Sequence, residues 1–432
     1  MKQVEKIFKL SEHGTNVRTE IVAGITTFMT MAYILAVNPY ILSSTGMDKD
    51  AVFTATALSA FIAIVFMALL ANLPVALAPG MGLNAFFAYT VVLQMGYSWE
   101  MALTAVFIEG LIFIVFSFFG IREAIIDSIP LSLKNAISVG IGLYIALIGF
   151  SNAGIIIKND ATLVALGDLA SPAVLIALVG IIITSVLLVL RVKAALVIGI
   201  IVTAAIGIPA GITKLPEGGL ISLPPSLEPI FFKFDFSKVL SWDMLLVIFT
   251  FLFVDIFDTV GTLVGVCSKA NLLDKKGKVP RATQALLADA IGTTAGAMLG
   301  TSTVTSYIES ASGVQAGGKT GLTSLTTGFL FLISLFLAPL FLMIPGSATA
   351  PALVLVGLFM ISPIQRINLD DYAESIPVFL TIIMMPLAYS ISEGIAFGML
   401  SFVLIKTFTG KWKEVSMVMY ILAVLFILKH VL

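Results

Sequence analysis

The chain is poor in the residues from which most reaction chemistry is built. Of its 432 residues one is cysteine, Cys267, and two are histidine, His13 and His430, set at opposite ends. A lone cysteine excludes an internal disulfide and a thiolate metal cluster. Histidines so far apart leave no basis for zinc, haem or a histidine proton relay, and no cofactor is expected. Charge is scarce too. Lysine and arginine number 24, aspartate and glutamate 25, together 11% of the chain, against about 25% in an ordinary soluble domain. The net charge of −1 offers no basic surplus for nucleic acid.

What replaces these residues is apolar: 59% of the chain is hydrophobic and the mean hydropathy is +1.09. That composition excludes a soluble enzyme and a disordered chain and describes an all-α polytopic membrane protein in contact with lipid. At roughly 30 residues per span with its connection, the length holds about fourteen crossings. The start carries Lys2, Lys6, Lys9 and Arg18 but no short apolar core followed by a small-residue cleavage site, so the first span is expected to be retained.

Apolar runs long enough to cross a bilayer occur at about 20–41, 51–72, 98–119, 131–150, 171–190, 194–212, 243–265, 283–299, 320–344 and 348–364. Two shorter spans, 374–390 and 392–408, hinge around Ser392–Glu393–Gly394, and a last run, 416–431, spans the membrane or lies on it. Two stretches break the pattern: Leu73–Thr90, with Pro74, Pro79, Gly80 and Gly82, and Gly300–Gly318, with the β-favouring run Thr301–Ser306. Each is expected to be a short extended piece followed by a half-helix. Non-helical backbone at that depth survives only when buried in protein or lining a cavity. They stand third in each half, as segments 3 and 10. The proline-rich connection 213–240 separates a first repeat of seven spans (1–212) from a second (241–432). Interrupted segments at matching positions point to an inverted-repeat secondary transporter with its site between the halves. The basic residues Lys269, Lys275, Lys276, Lys278, Arg281, Arg191 and Lys193 fall on the same side as the N-terminus, which makes that side cytoplasmic.

Acidic groups within spans are few and clustered. Asp255 and Asp258 are three apart and followed by Thr259 and Thr262; Asp289 sits in the next span, and Glu309 opens the second half-helix. An unpaired acid near the bilayer centre costs about 2.5–3.5 kcal/mol, and no lysine or arginine lies in these spans. The bland reading has the acids hydrogen-bond exposed backbone. The sharper one makes them a polar site: a carboxylate is acceptor-only when ionised and gains a donor when protonated, so it can match the N–H groups of a heterocycle in one state and lose the match in the other. Glu309 also sits in the favourable field of a helix N-terminus, which makes Asp258 the expected proton carrier and Glu309 the ligand holder. Asn84 takes the corresponding first turn after Pro79–Gly80, as ligand or as helix cap. Phe86 and Phe87 beside it either stack on a planar ligand or pack in the core. Glu109 and Glu393 are expected to be structural. Gly313–Thr320 matches the phosphate-binding G-x-x-x-x-G-K-[ST] pattern, but it joins two membrane segments with no α/β domain around it. Close packing of small residues is the better account.

With these residues in view, TTFMTMAYILAVNP (26–39), APGMGLNAFFAYTVV (78–92), FVDIFDTVGTLVG (253–265) and STVTSYIESASGVQAGGKTGLT (302–323) resemble the signature segments of the AzgA-like purine permeases. These belong to the nucleobase–cation symporter family that also contains uracil and xanthine permeases. The resemblance covers nearly the whole chain. It implies fourteen spans in 7+7 inverted repeats, with a core domain of about 20–119 and 243–344 and a gate domain of about 131–212 and 348–432. It further implies proton-coupled uptake of adenine, guanine, hypoxanthine or xanthine across the cell's inner membrane by an elevator-like movement, often as a homodimer. In relatives the acids of spans 8 and 10 contact the base; here these are Asp258 and Glu309, with Tyr307 and Ile308 offering backbone groups. Asp289 matches a supporting position, and Thr262 stands where the uracil branch has histidine, so a histidine-assisted proton step does not carry over. Two rivals share the architecture: a sodium-coupled carrier, and an anion transporter, whose site should be positive. An enzyme or scaffold finds no nucleophile–base pair and no soluble domain.

Overall fold

The computed structural model describes residues 2–119, 129–216, 219–273 and 278–431. Lys275 and Lys276, two of the residues used to orient the chain, lie outside them. After a short helix, α1 (Lys2–Phe8), the first apolar run forms two helices, α2 (Val17–Met31) and α3 (Ile34–Ser43), split at Ala32–Tyr33. Helix α4 (Lys49–Phe66) runs on as a π-helical turn, Met67–Ala71, closed by Asn72 at φ +52°. Then come the first strand, β1 (Leu77–Pro79), and α5 (Met81–Ala85), which continues as a π-helix over Phe86–Gln94. Helices α6 (Trp99–Phe119) and α7 (Leu131–Asn152) lead to a hairpin, β2 (Ile156–Asn159) with β3 (Leu163–Leu166), and then to α8 (Pro172–Val189) and α9 (Ala195–Gly207).

The second half runs through α10 (Trp242–Lys269), α11 (Ala282–Leu299), β4 (Val304–Ser306), α12 (Ser310–Gln315), α13 (Gly321–Ser334) and α14 (Ala338–Leu342). It ends with α15 (Gly346–Ile361), α16 (Tyr372–Leu387), α17 (Ile391–Phe408) and α18 (Met417–Val431). Many of these helices begin on a side-chain cap, as capping chemistry requires: Asn16 accepts from the Thr19 N–H, Asp48 from Ala51, Ser241 from Met244 and Ser390 from Glu393. Among the described residues nine helical stretches are long and apolar enough to cross a membrane; Met81–Gln94, Ala195–Gly207 and Tyr372–Leu387 are shorter. Helix α11 falls outside the nine. It carries Asp289, Thr293 and several small residues, and it lies in the interior against α4 and α6.

Both broken stretches have the expected form, an extended piece leading into a short helix. Their strands pair with each other: β1 and β4 are antiparallel, Leu77 opposite Ser306, Ala78 opposite Thr305 and Pro79 opposite Val304. The pairing is extended by Gly80 N–H donating to the Thr303 carbonyl (2.9 Å) and Tyr307 N–H to the Ala76 carbonyl (2.9 Å). Side chains satisfy what remains: the Ala76 N–H donates to Ser310 Oγ (3.0 Å), and the Ser324 and Thr293 hydroxyls donate to the carbonyls of Leu73 (2.6 Å) and Val304 (2.9 Å). Pairing and side chains thus keep much of this non-helical backbone from lipid. The crossing also explains Gly80: a Cβ there would overlap Thr305 Cγ2.

The phosphate-binding pattern at 313–320 is occupied by protein. Glu20, fully buried in the first turn of α2, accepts from the backbone N–H groups of Lys319 (3.0 Å), Thr320 (3.2 Å) and Thr323 (3.2 Å) and from the Thr320 and Thr323 hydroxyls (2.8 and 2.6 Å). Its carboxylate caps α13 where a phosphate would sit, and the glycines pack against neighbours: a Cβ on Gly313 would overlap Thr27.

Candidate functional site

The strand crossing brings four elements to one place: the α2–α3 break, α10, α11 and the start of α12. Glu309 precedes α12 and is half-buried; its Oε1 accepts from the Tyr33 hydroxyl at 2.8 Å. The Thr30 and Ser312 hydroxyls pair at 2.9 Å, and Ser312 also donates to the Glu309 carbonyl (2.7 Å). Tyr33 can present its hydroxyl because the helix is interrupted at its own position. Tyr307 is buried, with its hydroxyl on the Pro79 carbonyl at 2.5 Å and its N–H spent on Ala76. Its amide is thus the last rung of the strand pairing. Ile308 is 41% exposed and stands at an opening.

The acids of α10 divide into two environments. Asp255 is fully buried. The Thr259 hydroxyl reaches its Oδ1 at 3.3 Å, Asp289 Oδ1 at 2.8 Å and the Thr305 hydroxyl at 2.7 Å. Thr259 has one proton to donate and lone pairs to accept with. The short contacts therefore read as a relay, Thr305 to Thr259 to Asp289, that ties β4 to α10 and α11. Asp258, one residue before Thr259, is half-buried instead and shares its electrostatic surroundings with Asp289 and Glu309. Beyond it along α10, Gly261 and Val264 are exposed, and a Cβ on Gly261 would meet nothing within 4 Å. Towards the other end of the helix, Thr250, Phe251, Phe253 and Val254 are buried. Asp258 thus borders the face of α10 that Gly261 and Val264 leave exposed, while Thr259, Leu263, Val266 and Cys267 on the opposite side stay buried. Thr262 is buried one turn further on.

On the other broken stretch Asn84 is fully buried. The Ser302 hydroxyl donates to its Oδ1, while its Nδ2 has no partner among the described residues. Asn38 Nδ2 donates to Thr56 and Thr301 at 2.7 and 2.9 Å, and Thr303 donates to Glu109 at 2.7 Å. Glu109 is therefore a structural anchor for the crossing. The two phenylalanines expected as a stacking surface are both in the core. Phe86 is 1% exposed and meets Phe251 edge-on at 4.8 Å, and Phe87 is fully buried. They continue the fully buried helix Met81–Ala85, so the whole of this half-helix start is enclosed by protein.

The sequence reading missed Tyr33, Thr30 and Glu20. Tyr33 and Thr30 lie in the segment 26–39 noted above, but neither is acidic, and the helix break there has no glycine or proline to announce it. Glu20 stands at the edge of a span, where a carboxylate normally reads as solvated.

A helical bundle with two broken stretches crossed at its centre and carboxylates at the crossing is the arrangement of a multi-pass membrane transporter. The same fold occurs in the transmembrane domain of a cyanobacterial bicarbonate transporter, BicA, with a TM-score of 0.66 at 16% identity over 89% of this chain and 97% of that one. In sequence, the chain is 47% identical to the guanine/hypoxanthine permease PbuG of Bacillus subtilis, covering 98% of this chain and 99% of the relative. It is 45% identical to the adenine permease AdeQ of Escherichia coli (99% and 96% covered). The family model of the xanthine/uracil permeases, described as the permease family, matches residues 18–397. The chain belongs to this family, whose members are membrane transporters and not enzymes.

Proposed function

We propose that the chain is a secondary active carrier that imports purine nucleobases together with protons. The observation that carries this reading is the closeness of Asp258 and Glu309, both half-buried beside the strand crossing and near enough for their charges to interact, the second held by Tyr33. A purine presents N–H donors and ring-nitrogen acceptors in a plane. An ionised carboxylate takes the donors, and a protonated one supplies the complementary hydrogen. Glu309, already oriented by a phenol, is the ligand holder and Asp258 the proton carrier; Asp255, Thr259, Thr262 and Asp289 support them. The permeases of adenine and of guanine/hypoxanthine among the relatives support the substrate class. The bicarbonate transporter supports the fold alone, and two acids at the centre argue against an anion as cargo.

The same reading divides the chain into two inverted repeats of seven segments. The first runs from α2–α3 through α4, β1–α5, α6, α7 and α8 to α9. The second runs from α10 through α11, β4–α12, α13–α14, α15 and α16 to α17, and α18 lies outside the count. A core of about 20–119 and 243–344 slides against a gate of about 131–212 and 348–432 and exposes the site to either face in turn, in a homodimer in the cell's inner membrane with the N-terminus cytoplasmic. The test is uptake of labelled hypoxanthine, guanine and adenine at mildly acidic and mildly alkaline pH, in cells without purine carriers of their own. Wild type is compared with Asp258→Asn and Glu309→Gln at matched surface expression. Acid-stimulated uptake that both variants lose is the expected result. Uptake that follows sodium rather than pH refutes the proton. Uptake that neither substitution touches refutes the site.

A further inference from the structure

Opposite the opening at Gly261, the end of the bundle that holds the α16–α17 turn is closed by side chains that the site chemistry does not use. Asn152, at the end of α7, donates to the Tyr89 hydroxyl at 3.0 Å. The hydroxyls of Thr90 and Tyr144 pair at 3.3 Å, and Thr90 reaches the Tyr389 carbonyl at 3.4 Å. The Tyr389 ring stands edge-on to both Tyr144 (5.3 Å) and Tyr89 (6.2 Å). Tyr389 itself, in the turn between α16 and α17, has φ +52°, a conformation that disfavours a bulky side chain and persists only when its surroundings hold it. The cluster therefore joins the π-helical continuation of the first broken stretch to α7 and to the α16–α17 turn, three elements distant in sequence.

Beside the cluster is a cleft of about 160 Å³, lined by Gln94, Asp243, Thr250, Ser390 and Glu393 and floored by Phe86. Phe86 packs on Phe251, and Phe251 precedes Asp258 by two turns of α10, about 10 Å along the helix axis. The cleft and the acid pair thus lie along the same helix, two turns apart, with the Phe86–Phe251 contact and the buried Phe253, Val254 and Asp255 between them. Its polar groups suit a small planar solute rich in N–H, which Asp243 and Glu393 meet with acceptors and Gln94 with both donor and acceptor. Everything that closes it is neutral, with single hydrogen bonds at ordinary to long distance and edge-on rings, so closure is reversible.

We propose that this cleft is the second approach to the Asp258–Glu309 site, shut in this conformation, and that Tyr89, Thr90, Tyr144, Asn152 and Tyr389 are the latch that shuts it for a nucleobase in transit. The proposal rests on the alternating-access reading above and adds the residues that govern one of its two states.

The test needs no substrate, so it is independent of the purine assignment. With the buried Cys267 replaced by serine, Thr250→Cys places a thiol in the cleft of purified protein in lipid nanodiscs, and its rate of maleimide labelling is followed. Asn152→Ala, Tyr144→Phe and Tyr389→Gly are added singly; Tyr144→Phe removes one oxygen and serves if a larger change fails to fold. Labelling that speeds up by about fivefold or more in Asn152→Ala and Tyr144→Phe, the factor expected for losing one ordinary hydrogen bond of the closed state, is the predicted result, with a faster rate also in Tyr389→Gly, which removes both ring contacts. Unchanged labelling in every folded variant overturns the latch.

Discussion

Glu20 offers the sharpest test of how the bundle is held together. Its Oε2 accepts from the N–H and hydroxyl groups of Thr320 and Thr323, and its Oε1 from the Lys319 N–H. Truncation to alanine does not strand all of these. The Thr323 N–H also reaches the Thr320 carbonyl at 3.1 Å, and the Thr323 hydroxyl reaches the Glu20 carbonyl at 3.3 Å. The Lys319 and Thr320 amides are left without their acceptor, at about 1–3 kcal/mol each. The lost negative charge at the start of α13 adds about 0.3–1 kcal/mol. Glu20→Ala should therefore cost roughly 2–7 kcal/mol, a large share of a typical 5–15 kcal/mol stability. Glu20→Gln keeps an oxygen facing the threonines and turns its NH2 toward the Lys319 N–H, so it loses one bond and the charge, about 1–4 kcal/mol. The assay is thermal unfolding of the purified protein in detergent, read by intrinsic fluorescence and by the fraction remaining monodisperse after heating. The order wild type, Gln, Ala is required. An alanine variant as stable as wild type, or a glutamine variant worse than alanine, would refute the capping account.

Two further outcomes follow from the opening and from the end of the chain. Gly261 faces free space three residues past Asp258, so Gly261→Ala should leave uptake nearly intact. Gly261→Trp should abolish it with stability changed by less than about 0.5 kcal/mol; equal uptake by both variants would mean that this face is not the route. At the end of α17 the buried Lys406 ammonium joins Glu374 (2.8 Å) and Glu414 (2.7 Å), and that hydrogen bond holds the exposed Glu414 carboxyl below its ordinary range. The Ala373 N–H, helped by Lys411, does the same for Asp371. Groups with lowered pKa contribute stability above the unfolded carboxylate range, near 4, and lose it as pH falls through the folded value. The protection factor of the Trp412–Val415 amides, exchange corrected for its intrinsic pH dependence, should accordingly fall on acidification, and Glu414→Gln should flatten that fall; a flat wild-type profile would show that the ion pairs do not hold the segment.

The features that announced themselves in the sequence were those that break a membrane rule. Pro79–Gly80 and the β-branched run before Tyr307 cannot continue a helix, and the structure has strands there. Four carboxylates in apolar runs cannot be casual, and all four lie near the crossing. What stayed hidden obeys the rules locally. The π-helical stretches at 67–71 and 86–94 widen the helix without altering composition. The break at Ala32–Tyr33 has no glycine or proline, so Tyr33 looked like one more apolar position. The β2–β3 hairpin lies in a polar connection whose only mark is a short alternation. The partnership of Glu20 with residues three hundred positions away is tertiary, and no local pattern encodes it.

The β1–β4 pairing also sets a schedule for biosynthesis. Leu77 has no strand partner until Ser306 has been made, which at about 5–20 residues per second is a delay of roughly 10–45 s. Throughout that interval the nascent first half holds an extended stretch inside the bilayer with open backbone groups, which lipid does not tolerate. The newly inserted helices must therefore shelter it, or hold it in the translocation machinery, until the second half arrives. A chain stopped before residue 300 is left with that stretch unsealed, a ready substrate for membrane quality control.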